Sequence, residues 1–347
     1  MEADARDRSG AMKSPRRGPL ARAAFLLLLV ACGSRTGLFG TEDATNGLLP
    51  DGGPIPPGID GGFRDGPIGR DSPFEPDAPL PMIDAMPRPD ANRNDCPDAE
   101  ATLVYVVTEA NELFSFFPTD GTFKFISNLA CPAGGANPFS MAVDRKGVAY
   151  VEFTDDRLYR VSTASGACIP TNFQPDQQGF TAFGMGFATN SVGPTESLFV
   201  AGTSAMNMGP SPGLARIDIA TFNLTPVGPF LPDIANAELT GTGDGRLFAF
   251  YNKQTNPQGG NQPPSFIGEI DTNNAHVIAE TAFPTVGQGT GWAFAFWGGD
   301  FYMFTSPTQA AGSDVTRWRP SDNSVSVVAT LPSKIVGAGV STCAPSQ

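Results

Sequence analysis

The sequence predicts an all-β fold, and three observations support this prediction. The 347 residues include 40 Gly and 33 Pro, while only 16% are charged, which is typical of turn-rich chains. Short apolar stretches are separated by turn residues such as Gly243, Asp244 and Gly245, as β-hairpins require. Similar stretches return after about 44 to 55 residues, which indicates an internal structural repeat.

The N-terminus has the organisation of an export signal. Basic residues precede an apolar run at 23–31 that is too short to span a bilayer. The run ends in Leu29, Val30, Ala31 and Cys32, which resembles the lipobox of bacterial lipoproteins. The resemblance implies that residues 1–31 are removed and that Cys32 carries the lipid, including palmitate. Gly33 follows the cysteine, and a residue other than Asp at this position resembles the sorting rule for the outer membrane, which implies that location for the mature chain. An ordinary cleaved signal is the alternative, and Met12 is an alternative start.

Residues 32–95 are expected to form a disordered tether between the lipid and a folded domain. The stretch 40–95 holds eleven Pro and eleven acidic residues and shows no hydrophobic period. Such a segment cannot bury enough apolar area to offset its ordering entropy. A calcium-binding acidic repeat is the alternative, but the Asp spacings do not follow an EF-hand pattern.

The repeat in residues 96–347 has a consistent internal order. Strands rich in small residues are predicted at 139–143, 183–187, 238–242, 292–296 and 336–340. After each of the first four, a second apolar strand and a third alternating strand follow, and fourth strands are predicted after polar turns. Glycines such as Gly184 and Gly337 fall in the first strand, where a crowded axis tolerates least side-chain volume. The order resembles that of β-propeller blades, with no match to the WD40 or kelch signatures.

The two ends of the domain predict how the ring closes. Only three strands follow Cys96 before the next repeat, and one inner-type strand at 336–342 is left over at the C-terminus. Joining these segments in one blade removes the open seam of the ring. The sequence therefore predicts a five-bladed β-propeller closed by pairing of its N- and C-terminal strands. A β-sandwich and a propeller with more blades are the alternatives.

Four cysteines remain once Cys32 is assigned to the lipid, and an oxidising envelope favours two disulfides. The closure model pairs Cys96 with Cys343, a bridge that would contribute about 4 to 5 kcal/mol in the chain-entropy model. Cys131 and Cys168 lie near outer strands of adjacent blades and would pair with each other. A metal site or reactive thiols are the alternative, but the sequence has no Cys-x-x-Cys spacing.

Composition also bounds the function. A formal charge of −13 and a single histidine, His276, argue against nucleic-acid binding, zinc sites and His-dependent catalysis. We predict no cofactor and no metal.

Three carboxylates are candidates for chemistry at the mouth of a propeller channel, namely Asp144, Glu238 and Asp244. Such a set could cleave a glycan, but Asp144 and Asp244 also fit turn positions and Glu238 a local pairing. A group of aromatic residues could stack on a sugar or form core between blades: Trp292, Trp297, Trp318, Phe294, Phe296 and Tyr302.

The two longest interruptions, at 203–213 and 252–265, would lie on one rim of the ring, because both join a second strand to a third. We predict a non-enzymatic, membrane-anchored envelope lipoprotein whose propeller binds a protein, peptide or glycan on this rim. No catalytic residue is assigned. The alternatives are an envelope hydrolase or lyase acting on a glycan or lactone through the three carboxylates, and a structural component of the envelope.

Overall fold

The computed structural model describes residues 103–190, 195–203, 211–253 and 261–347. The predicted signal peptide, the lipid attachment at Cys32, the tether and Cys96 lie outside the described residues, so these predictions stay predictions. The described part contains twenty β-strands arranged in five four-stranded sheets. It contains no helix that could cross a membrane.

Five inner strands surround the axis, one from each sheet. They are β4 (Pro138–Val143), β8 (Phe183–Thr189), β12 (Ala235–Gly241), β16 (Gly291–Trp297) and β20 (Ile335–Val340). Each packs against the inner strand of the sheet on either side, in the cyclic order β20, β4, β8, β12, β16 and back to β20. The circle is closed, so the all-β domain is a five-bladed β-propeller, as the sequence predicted.

The other strands follow outward in each blade. The second strands are β1 (Val104–Thr108), β5 (Val148–Phe153), β9 (Glu196–Gly202), β13 (Leu247–Asn252) and β17 (Asp300–Ser306). The third strands are β2 (Glu112–Phe117), β6 (Leu158–Ser162), β10 (Leu214–Ile217), β14 (Ser265–Ile270) and β18 (Ser313–Arg319). The outer strands are β3 (Thr122–Asn128), β7 (Cys168–Pro170), β11 (Leu224–Gly228), β15 (Val277–Phe283) and β19 (Ser324–Leu331). Blades 2 to 5 are consecutive groups of four, from β4 to β19.

Blade 1 is built from both ends of the domain and confirms the predicted closure. Its strand order is β20-β1-β2-β3, and β20 pairs antiparallel with β1, with Val340 opposite Val104 and Ala338 opposite Val106. The C-terminal strand therefore supplies the inner edge that the N-terminal three strands lack. Without it the backbone groups of β1 would have no partner on that side.

The inner strands approach one another closely, and this explains their glycines. A Cβ atom on Gly184 in β8 would lie 2.0 Å from the carbonyl oxygen of Ala237 in β12. A Cβ atom on Gly337 in β20 would lie 2.8 Å from the amide nitrogen of Met141 in β4. Larger side chains would push the blades apart, because both neighbours are backbone atoms.

All five inner strands begin at one face of the ring, here called the top face, and end at the other, the bottom face. Inner strands end and second strands begin on the bottom face. Second strands end and third strands begin on the top face. The loops 203–213 and 252–265 join β9 to β10 and β13 to β14, and these strands meet their loops at the top face. Residues 204–210 and 254–260 lie outside the described residues, so the predicted position of the two loops on one rim stays a prediction.

One predicted disulfide lies within the described residues and is confirmed. Cys131 follows β3 of blade 1, and Cys168 lies in β7 of blade 2. The two sulfur atoms are bonded, with 5.1 Å between the Cα atoms. The bond joins the segment between the first two blades to the outer edge of blade 2. Cys343 is buried three residues after β20, and its predicted pairing with Cys96 stays a prediction.

Candidate functional site

Two of the three candidate carboxylates are used in turns on the bottom face. Oδ1 of Asp144 accepts hydrogen bonds from the backbone N–H groups of Lys146, at 2.9 Å, and Val148, at 2.8 Å. Asp244, in the turn after β12, accepts a hydrogen bond from the hydroxyl of Thr242. The turn interpretation of Asp144 and Asp244 is therefore confirmed, and these contacts shape the hairpins.

Glu238 lies inside the ring, and the expectation that it pairs locally was wrong. Its Oε2 accepts a hydrogen bond from Ser140 Oγ of β4, two blades away, at 2.9 Å, and the N–H of Met185 in β8 also donates to this carboxyl. The contact crosses the intervening blade 3. A Cβ atom on Gly184 in β8 would lie 2.8 Å from the Cα of Glu238, so glycine at this position allows β8 to pack closely against the backbone that carries Glu238.

A second buried acid lies beside this contact. Glu152 in β5 is directly opposite Ser140 in the β4–β5 ladder and is fully buried. Its Oε2 accepts a hydrogen bond from the N–H of Phe183, the first residue of β8, at 3.1 Å. Ser140, Glu152 and Glu238 are called the axial acid cluster below. The cluster connects the inner parts of blades 2, 3 and 4.

The axial acid cluster lacks positive charge among the described residues. No Lys or Arg nitrogen there lies within 4.0 Å of either carboxyl group, and Oε1 of Glu152 has no hydrogen-bond partner. Burial raises the pKa of both Glu152 and Glu238 well above the ordinary value of 4.5, because a charged carboxylate loses its hydration there. The negative charges of Asp156 and Glu238 raise the pKa of Glu152 further. The protonated forms are therefore favoured.

A cavity opens above Glu238 on the top face, here called the axial cavity. Its volume is about 170 Å³, and the starts of β4, β16 and β20 form its walls. Phe139, Trp292 and Val336 give it an apolar lining, and Glu238 contributes a carboxyl group. On its rim, Lys334 and Glu109 form an ion pair at 2.8 Å. The cavity thus joins aromatic walls to a buried acid.

The bottom end of the axis has a different polar network. Glu196 of β9 accepts hydrogen bonds from the N–H of Arg145, at 2.7 Å, and from the hydroxyl of Thr342, at 2.8 Å. These residues come from blades 3, 2 and 1. Burial raises the pKa of Glu196 to about 7. A cavity of about 120 Å³ lies at this end, between Arg145, Asp244 and Thr342.

The aromatic residues considered for sugar stacking belong mainly to the core between blades. Phe294 and Tyr302 are buried. Phe296 and Trp318 line a groove of about 300 Å³, but Trp318 is stacked on Phe301, with 5.2 Å between the ring centroids. Trp297 is partly buried against the core between blades 1 and 5. Trp292 lines the axial cavity, as described above.

A further cavity lies away from the axis. It has a volume of about 550 Å³ and is lined by Asn261, Gln262 and Pro263, the end of the 252–265 loop, and by residues of β18 and β19. Gln262 donates a hydrogen bond to the hydroxyl of Thr308 in the neighbouring blade, at 3.2 Å. The cavity is therefore a groove between blades 4 and 5 beside one of the two long loops.

Sequence reasoning missed Ser140 and Glu152. Glu152 comes directly after the apolar run 148–151 and before Phe153. An acid inside a buried strand could have been recognised as a buried carboxyl group. Ser140 gave no comparable signal, because a small polar residue in an inner strand is ordinary. Among the described residues, no group of three or more His, Cys, Asp or Glu could hold a metal ion.

The fold and site together define a five-bladed propeller with an acid-containing cavity at the axis. No family model matches the chain, and no curated protein matches it. Among solved structures, the chain is similar to a nidogen/laminin complex at 12% identity, covering 71% of this chain and 99% of that chain, with a TM-score of 0.43. It is similar to TolB from Acinetobacter baumannii at 11% identity, covering 65% of this chain, with a TM-score of 0.36.

A third solved structure is the hydrazine synthase of Kuenenia stuttgartiensis, at 13% identity and a TM-score of 0.35, with 64% of each chain covered. This chain spans about half the length of the TolB chain, 52%. Similarities at these values carry no argument about activity. The description of five blades rests on the strand pairing of the molecule itself.

Proposed function

We propose that this chain is an envelope lipoprotein, attached through Cys32, whose propeller is a non-enzymatic binding module that contacts its partner on the top face. The anchor is supported by the lipobox-like sequence at 29–32 and the acidic tether that follows. Sorting to the outer membrane is part of the proposal. The partner is a protein, peptide or glycan.

One observation carries the choice of face. The axial cavity opens on the top face, with the rims of three blades around it, and the strands that flank the two long loops, β9, β10, β13 and β14, meet those loops on the same face. Binding surfaces are commonly concave and formed by loops on a rigid scaffold. The bottom face, by contrast, uses Asp144 and Asp244 in its tight turns.

The anchor is tested by metabolic labelling with radioactive palmitate in a bacterial host, followed by membrane fractionation. We expect label in the wild-type chain and none in Cys32→Ala. The double variant Cys131→Ala/Cys168→Ala is the matched control, because it removes two other cysteines and should keep the label. Label that persists in Cys32→Ala would contradict the anchor.

The binding face is tested with two bulky substitutions in the full chain, purified in detergent. Thr290→Trp fills the mouth of the axial cavity, and Ser346→Trp places the same ring at the bottom cavity. On a glycan array and in pull-downs, ligands of the wild type should be lost with Thr290→Trp and kept with Ser346→Trp. The reverse result, or equal binding by both variants, would contradict the top-face assignment.

A further inference from the structure

The axial cavity has the size of one functional group, not of a whole ligand. Its volume of about 170 Å³ is below the range of roughly 300 to 1,000 Å³ that is usual for drug-sized ligands. A partner would therefore insert one side chain or one small group here. The chemistry of the walls decides which group fits.

The buried acids favour a positive charge in this cavity. Glu238 is 4% exposed and Glu152 is 0% exposed, and among the described residues neither has a Lys or Arg partner. Buried carboxylates are normally paired with a cation, because desolvation alone is costly. A cationic ligand would form an ion pair with these acids in their ionised form, whereas an anionic or neutral ligand would not.

The walls fit the rest of such a ligand. Phe139 and Trp292 line the cavity with partly exposed rings, and aromatic faces attract ammonium groups. Val336 adds an aliphatic contact for a methylene stem. Lys334 on the rim forms an ion pair with Glu109 at 2.8 Å. The negative charge of Glu109 therefore reduces the repulsion between Lys334 and an incoming cation.

Acidic residues whose charges reach Glu152 add long-range attraction. Asp155 and Asp156 follow β5 on the top face, and their charges act on Glu152. The charge of Asp176 acts on Asp156, so the three aspartates lie close together. Asp155 is ion-paired with the adjacent Arg157 at 3.7 Å, so among the described residues here the unpaired negative charge comes from Asp156 and Asp176. Negative charge on the surface increases the rate at which cations arrive and reduces that of anions.

We infer that the axial cavity binds a primary alkylammonium group, such as the side chain of a lysine on a partner, with Glu238 as its counter-ion and Phe139 and Trp292 against its stem. The inference rests on the proposed binding function and names the group that the top face recognises. The ammonium replaces the cation that the axial acid cluster lacks.

Binding of this kind releases a proton. Burial raises the pKa of Glu238 well above that of an ordinary glutamate, so the unliganded protein favours its protonated form. The bound ammonium stabilises the ionised form, and the affinity should therefore rise with pH. Glu152 from β5, Glu109 after β1 and Lys334 before β20 are the other titratable groups around the site. Ser140 and the N–H of Met185 are neutral donors to Glu238.

The test uses n-butylammonium chloride as the probe, with n-butanol and sodium butyrate as matched neutral and anionic probes. Isothermal titration calorimetry on the full chain should give a Kd of about 1 mM for butylammonium, at least tenfold tighter than for either control. Titrations in phosphate and Tris buffers should show proton release, and binding should be tighter at pH 8 than at pH 6. Equal binding of butanol, or binding of butyrate, would overturn the inference.

The variant Glu238→Gln keeps the shape of the side chain and can still accept the hydrogen bond from Ser140, but it cannot ionise. Its affinity for butylammonium should therefore be at least tenfold weaker than that of the wild type. Glu196→Gln, at the other end of the axis, should not change it. If Glu238→Gln does not fold, Thr290→Trp serves instead, because it blocks the mouth without touching the cluster. Unchanged affinity in the folded Glu238→Gln variant, or in Thr290→Trp, would overturn the site.

The two proposals fail differently. If the wild type does not bind butylammonium but Thr290→Trp loses the macromolecular ligand, the amine inference is overturned and the proposed binding function remains. Glu238-dependent binding of butylammonium, in a chain whose macromolecular ligands bind the bottom face, would support the amine site and contradict the proposed function.

Discussion

At the scale of single residues, the axis holds buried acids that respond to pH in one direction. Glu152, Glu196 and Glu238 all have raised pKa values, and burial is the main cause of each. The folded state therefore binds protons that the unfolded state releases. Their contribution to stability is present below pH 4.5 and decreases as the pH rises through the folded pKa values.

Glu196 allows this linkage to be measured. Its pKa of about 7 places the loss of stability between pH 4.5 and 7. In Glu196→Gln the group no longer titrates, so the free energy of unfolding should fall less over this window than in the wild type. Urea unfolding at pH 5, 6 and 7 measures the difference.

Asp120→Asn is the control for this comparison. Hydrogen bonds from Thr122 lower the pKa of Asp120, so this group titrates below the window and its removal should leave the slope between pH 5 and 7 unchanged. A Glu196→Gln curve parallel to that of the wild type would show that Glu196 does not contribute to the pH dependence.

At the scale of elements, the outer strand of blade 2 depends on the disulfide. Strand β7 has three residues, Cys168–Pro170, and Ile169 is exposed. So short a strand contributes few hydrogen bonds and little apolar burial. The bond between Cys131 and Cys168, which spans 37 residues, holds this strand against the blade.

The double variant Cys131→Ala/Cys168→Ala should therefore lower the free energy of unfolding by roughly 2 to 4 kcal/mol. Urea unfolding of the two proteins measures this loss. Amide hydrogen exchange should rise in β7 and in the segment around residue 131, while β12 and β13 in blade 4 serve as the internal reference. If exchange rises equally in blade 4, or if the free energy of unfolding is unchanged, the disulfide does not stabilise β7 locally.

At the scale of the whole molecule, closure of the ring is carried by the last strand. β20 supplies the inner edge of blade 1 through its pairing with β1 and also packs against β4 and β16. Val104 and Val106 of β1 are fully buried. Removal of β20 would expose them and leave unpaired strand edges.

A chain ending at Lys334 should therefore lose cooperative unfolding and associate, whereas a chain ending at Pro345 should behave as the wild type. Near-ultraviolet circular dichroism with urea titration, and size-exclusion chromatography, measure these properties. The full-length variant Cys343→Ala retains β20 and separates the role of the strand from that of the predicted bond to Cys96. A monomeric, cooperatively unfolding chain that ends at Lys334 would contradict closure by β20.

Much of the fold could be predicted because its determinants are local. Alternating apolar residues and turn residues mark strands, and glycines such as Gly184 and Gly337 mark the strand where backbones approach within contact distance. The count of strands at the two ends predicted that one blade is shared. Cys131 and Cys168 lie near outer strands of adjacent blades, and their pairing was the one left once the closure model had paired Cys96 with Cys343.

The sequence by itself determined the blades and the closure of the ring, because a strand shows its buried face through its own alternation. Only the tertiary structure decided the partners of Glu238. Ser140 lies 98 residues away along the chain and two blades away in the ring, and β8 of the intervening blade packs closely against β12 because residue 184 is a glycine. Contacts across the axis depend on how three blades pack together, and no local pattern in one strand contains that information.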